Sequence, residues 1–111
     1  MKDQDKKIAE ELKQRLYSID ISIVDFRVFG SRAREDASEF SDMNIFIEVE
    51  DLSKELNMKI LDAVWEVLIE HSIYISPIIF TRTEIEESDL GGSPIIANIY
   101  QEGVIVWQKS L

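Results

Sequence analysis

The chain has no cysteine. That excludes a disulfide framework, a thiol nucleophile and a cysteine-ligated zinc site. Positive charge is scarce: Lys and Arg total 12 against 22 Asp and Glu, a net charge of -10. Tight binding of DNA or RNA rests on neutralising phosphates with basic side chains, so a nucleic-acid partner is disfavoured. A single nucleotide carried with a divalent cation escapes that argument, because the cation brings the positive charge. No apolar run approaches the ~20 residues of a membrane span. The opening MKDQDKK leads into no apolar segment of the kind a secretory signal needs. The expectation is a cytoplasmic protein with no membrane partner. The single histidine, His71, falls near the end of a long helical stretch, where a structural role is expected rather than catalysis.

The 111 residues are 45% apolar and 31% charged, which fits one globular domain, residues 1–111, with one core. There are no internal repeats, low-complexity tracts or interdomain linkers, and "LGGSP", 90–94, reads as the one flexible connection.

Residues 3–17 read as a helix with Ile8, Leu12 and Leu16 on one stripe. "SIVDFRVF", 22–29, reads as a strand with Val24, Phe26 and Val28 on one face and Asp25 and Arg27 on the other. "MNIFIEV", 43–49, reads as a second strand, with Met43, Ile45, Ile47 and Val49 opposite Asn44, Phe46 and Glu48. A helix is expected over 52–70 and a third strand over 73–80, where Pro77 points to an edge or a bulge. Thr83 with Glu86 suggests a capping box for a short helix. Ser93-Pro94 opens another helix, Gly103 stops it, and "VIVW", 104–107, is a last strand. Strands alternating with helices predict an α/β or α+β fold built on a small sheet.

The helix at 52–70 is apolar over an arc of about 260°, more than one sheet face can cover. Trp65, Met58 and Ile69 widen that arc, while Glu55, Lys59, Asp62, Glu66 and Glu70 form a wet face expected to be only solvated. Either the N-terminal helix or the 94–101 helix covers Trp65, Met58 and Ile69, or they dock another chain, a second copy of this one or a helical partner; we take the second reading.

The chemistry-bearing stretch runs from Gly30 to Asn44. Gly30-Ser31, ten residues, then Asp42-x-Asn44 at the head of an apolar strand resembles the signature of the minimal nucleotidyltransferases of the DNA polymerase beta-type superfamily, Gly-Ser followed after ten residues by Asp-x-Asp. The intervening "GSRAREDASEFSD" resembles the family's filler, and "ISPIIFTRTEIE" and "PIIANIYQEGVIVW" resemble its later segments. The resemblance implies a small mixed sheet with helices packed mainly on one face. It implies Mg²⁺ as cofactor and ATP or another nucleoside triphosphate as substrate. It places Gly30 and Ser31 on the phosphates, with Asp42 and Asn44 as the catalytic, metal-binding pair. It also implies a helical toxin-type partner, the antitoxin role of such proteins.

The physical logic is that nucleotidyl transfer is mostly positioning and charge neutralisation. Two divalent metals hold the attacking and leaving oxygens, and carboxylates at i and i+2 of one strand reach the same metal pair. Arg32 and Arg34 either meet phosphates or form a solvated pair balancing Glu35, Asp36 and Glu39. Three departures stand out. Asn44 replaces the second Asp and brings no negative charge. "IYISPIIF" has no carboxylate, and Ser76 stands where one is expected. Glu35 replaces a glycine. Tyr74 and Ser76 otherwise read as the exposed face of a strand. Glu48 shares the face of Asn44 but lies about 13 Å further along, too far to substitute. An attenuated or inactive nucleotidyltransferase acting by binding is therefore expected, with an active metal-dependent adenylyltransferase as the alternative.

Overall fold

A computed structural model of the chain describes residues 1–19, 22–87 and 93–109. The first helix, α1, runs Asp3–Ser18 and buries Ile8, Leu12 and Leu16, the stripe the sequence spacing picks out. Asp5 lies on that same stripe and is also buried. Strand β1, Ile23–Phe29, leads through the turn at Gly30 into a single helical turn, α2, Ser31–Arg34. Strand β2 is Met43–Val49, and α3, Lys54–His71, crosses over to β3, Ile75–Thr81. Two short helices follow, α4 at Arg82–Glu87 and α5 at Pro94–Glu102, and β4, Val104–Gln108, completes the order. Residues 90–92 of the stretch expected to be flexible lie outside the described residues.

The strands form one sheet in the order β3-β2-β1-β4. β1 pairs antiparallel with β2 and with β4, whereas β2 and β3 are parallel, as a crossover through a helix requires. Pro77 sits on β3, an edge strand, where a missing amide costs the ladder least. The two sheet faces are covered unequally. Phe26, Val28, Met43, Ile45, Ile47 and Val49 pack with α1 and α3 into the main core. Phe46, on the opposite face, packs with Ile85, Ile96 and Ile99 of the two short helices. At ~1.5–3 kcal/mol per fully buried large apolar side chain, the main core dominates the stability of the domain.

The other face carries a buried polar layer. Asp25 and Glu48 are cross-strand partners, and Arg27 lies beside them; all three are buried. Arg27 binds Asp25 through both Nε and Nη2, at 2.8 and 3.0 Å, and its guanidinium lies 4.9 Å from the Tyr100 ring centre. The Tyr100 hydroxyl donates to Glu48 at 3.0 Å. Burial pushes the Glu48 carboxyl up, and burial and the neighbouring Glu48 push the Tyr100 hydroxyl up.

Three local expectations change. The capping box is Thr81–Glu84, two residues before the expected pair: Glu84 N–H donates to Thr81 Oγ1 and Thr81 N–H to Glu84 Oε1. The strand runs on to Thr81, so the helix starts sooner, and Glu86 pairs with Arg82 instead. α3 starts at Lys54 because Ser53 caps it, its hydroxyl accepting from Leu56 N–H at 3.0 Å. The wet face of α3 is not merely solvated: Arg15 of α1 bridges Glu66 and Glu70 and also holds Glu11. Neither α1 nor α5 covers Met58, Trp65 and Ile69, which are 56, 60 and 57% exposed.

Candidate active site

The end of β1 and the beginnings of β2 and β3 meet at one edge of the domain. Phe29 pairs with Asn44, and Asn44 pairs with Ser76, so a single row of residues crosses three strands. Strand alternation puts Asp42, two residues before Asn44, on the same face. The Ser76 hydroxyl donates to Asp42 Oδ2 at 3.3 Å. Ser76 is therefore not simply an outward strand position; it touches the one carboxylate of the site.

Gly30 closes this row. Its φ of 80° and ψ of -157° belong to a region that only glycine adopts without strain. A Cβ there would stand 2.8 Å from Asn44 Nδ2. The turn therefore brings bare backbone against the Asn44 amide, and Ser31 follows as the first residue of α2.

The two arginines of this segment point in different directions. Arg32 donates to Asp5 Oδ1 at 2.8 Å, to the Ser41 carbonyl at 2.9 Å and to the Glu39 carbonyl at 3.3 Å. Its side chain is only 11% exposed, so the solvated reading does not describe it. It ties the 35–41 loop to α1. Arg34 is half exposed, 3.1 Å from Asp36 and 3.6 Å from Glu102. Sequence spacing pairs Arg32 with no distant residue; the signal for Asp5 is a carboxylate on an otherwise apolar helix stripe.

The donors facing one another here are one carboxylate, one amide and one hydroxyl. Two divalent cations holding a triphosphate want several anionic oxygens. The residues present do not meet that demand. The two other carboxylates of this sheet face, Asp25 and Glu48, sit four residues further along the strands, about 13 Å away, and are held by Arg27 and Tyr100. Among the described residues, one further cluster has ligand-like spacing: Glu11, Glu70 and His71. His71, the last residue of α3, meets Glu11, and Arg15 already neutralises Glu70, so this is an interhelical ion-pair network. The hydrogen bond with His71, above all, holds the Glu11 carboxyl down at about 2.

Comparison with known proteins bears on the family and the fold. No curated protein matches the sequence. Among solved structures, a proposed nucleotidyltransferase of Sulfolobus solfataricus superposes with a TM-score of 0.58 at 18% identity, over 94% of this chain and 80% of that one. A toxin–antitoxin structure with AMP-PNP gives a TM-score of 0.61 at 13% identity, over 91% and 74%. A tri-AMPylated HEPN toxin of Shewanella oneidensis in complex with MNT antitoxin gives 0.54 at 12% identity, over 94% and 73%. At these identities the structures establish the shared fold, a mixed four-stranded sheet with helices. The family model described as a nucleotidyltransferase domain matches residues 5–106, nearly the whole chain, and the protein belongs to that family.

Proposed function

We propose that this is a nucleotidyltransferase-fold protein whose transfer of nucleoside monophosphate is attenuated or lost, and which acts in the cytoplasm by binding a partner protein as an antitoxin does. The observation that carries this is the donor set: Asp42 alone is anionic, with Asn44 and Ser76 in the neighbouring places. The toxin–antitoxin assemblies among proteins of this fold support the partner half of the reading. In this reading Gly30 and Ser31 still offer a close approach to the phosphates of ATP or another nucleoside triphosphate. Arg34, half exposed and paired with Asp36 and Glu102, is the cationic contact nearest to hand, and Arg32 holds the loop beneath them. Mg²⁺ binds weakly at Asp42 and Asn44.

Calorimetric titration with Mg²⁺ and ATP is the first test, followed by labelled-nucleotide transfer to any co-purified protein with intact-mass readout. Weak nucleotide binding without stoichiometric metal is expected, and no mass increase of a nucleoside monophosphate. Micromolar ATP affinity with stoichiometric metal, or labelling of an acceptor by the unaltered chain, establishes the second reading instead. That reading is an active metal-dependent adenylyltransferase modifying a protein or a small acceptor, and the intact Gly30 turn against Asn44 is what favours it.

A further inference from the structure

The outer face of α3 carries a run of exposed large apolar side chains. Met58, Leu61, Trp65 and Ile69 are spaced three and four residues apart, so they form one stripe along the helix. They are 56, 42, 60 and 57% exposed. The inner face already has its core, through Ile60, Ala63, Val64 and Val67. A side chain as large as Trp65 left in water on a capped helix of 18 residues is a surface already ordered for contact.

Charge tells what kind of contact. At about 100° per residue, Glu55, Asp62, Glu66 and Glu70 run along one flank of the stripe, with Lys59 the lone cation among them. Arg15 neutralises part of Glu66 and Glu70. Glu55 and Asp62 have no ion pair among the described residues. A second copy is a poor occupant. An antiparallel pair of α3 helices about a twofold axis lays one acidic flank against the other, in chains that each carry a charge of -10.

We propose that the Met58–Leu61–Trp65–Ile69 face of α3 docks a helix of a separate protein whose apolar stripe is bordered by lysine and arginine. This rests on the partner-binding reading above and adds to it the surface and the chemistry of the partner. Apolar burial along the stripe supplies the affinity, and the acidic flank fixes the orientation and rejects acidic helices.

The test uses the full chain and two labelled helical peptides of about 20 residues, long enough to form stable helices. Both carry a leucine stripe; one is flanked by lysine and the other by glutamate. Fluorescence anisotropy should show the lysine peptide binding at least about tenfold more tightly, and weakening as salt screens the flank. Trp65→Ala and Leu61→Asp, both at exposed positions, should each weaken it by at least about tenfold with an unchanged far-UV circular dichroism spectrum. Glu55→Lys with Asp62→Lys should transfer the preference to the glutamate peptide. Equal binding of the two peptides, binding of neither, or a preference unmoved by the Lys pair would overturn the proposal. A dimer in sedimentation that Trp65→Ala dissolves would assign the face to a second copy and also overturn it. The two readings fail separately: a protein that stays co-purified with the Trp65→Ala, Leu61→Asp chain removes this face while the partner reading stands.

Discussion

Ser76 is the register partner of Asn44 across the parallel β2–β3 pair, and its hydroxyl reaches Asp42 at 3.3 Å. The two neutral side chains thus occupy neighbouring places around one carboxylate. Restoring charge there is a direct test of what they replaced. Asn44→Asp is expected to tighten Mn²⁺ or Mg²⁺ binding by about tenfold, or about 1.4 kcal/mol, and adding Ser76→Asp should tighten it further. Without metal the double variant should melt lower, because three carboxylates repel, and metal should raise its melting temperature more than that of the parent chain. Calorimetry and thermal melts with and without Mn²⁺ read both effects. Unchanged metal affinity in the double variant would show that these places are not ligand positions.

Two backbone positions around the site should respond in opposite directions. Gly30→Ala puts a Cβ at φ 80° and 2.8 Å from Asn44 Nδ2, so a loss of ~1–3 kcal/mol is expected. Glu35 ends α2 with φ 65° and ψ 21°, the left-handed conformation that glycine tolerates best. Glu35→Gly should gain ~1 kcal/mol, since the exposed end of its ion pair with the N-terminus contributes little. Urea midpoints of the two variants measure this, and a destabilised Glu35→Gly would contradict it.

Glu48 should make stability depend on pH just above the ordinary carboxylate range. Burial raises its carboxyl above 4.5 in the folded chain, with the Tyr100 hydroxyl opposing that rise. The folded state therefore holds the proton more firmly than the unfolded state. The resulting stability is full below pH 4.5 and is lost as pH rises through the raised value. Glu48→Gln keeps an acceptor for Tyr100 and should abolish that decline, which urea midpoints across this range would show. Parallel profiles for the two proteins would refute the assignment.

Glu11 predicts the opposite slope at lower pH. Its carboxyl falls from 4.5 to about 2, chiefly through the His71 ring. Its contribution is present above pH 4.5 and disappears as pH falls through about 2. Glu11→Gln should flatten the acid limb of the stability profile, followed by circular dichroism against urea. His71→Ala should reproduce most of that flattening, and an unaffected acid limb in both variants would rule out the clasp.

The sequence by itself determined the elements and the family. Alternation in 43–49 and the four-residue spacing of Ile8, Leu12 and Leu16 are set by the two backbone periods, which any neighbour must accept. The Gly30-Ser31 to Asp42 spacing was legible for the same reason: a turn and a strand head are local, and so was the loss of charge at Asn44. The tertiary structure decided everything that depends on a partner far along the chain. Nothing near Arg32 announces Asp5, 27 positions away, or shows that its guanidinium is buried against that carboxylate. Nothing near Ser76 fixes its contact with Asp42, which needs the parallel register brought about by α3. The wide apolar arc of α3 and its edge at Met58, Trp65 and Ile69 could be read from the sequence, but local pattern alone could not exclude another helix covering that edge. That depended on where α1 and α5 come to rest, and packing of distant segments is set by the sum of many long-range contacts rather than by any local pattern.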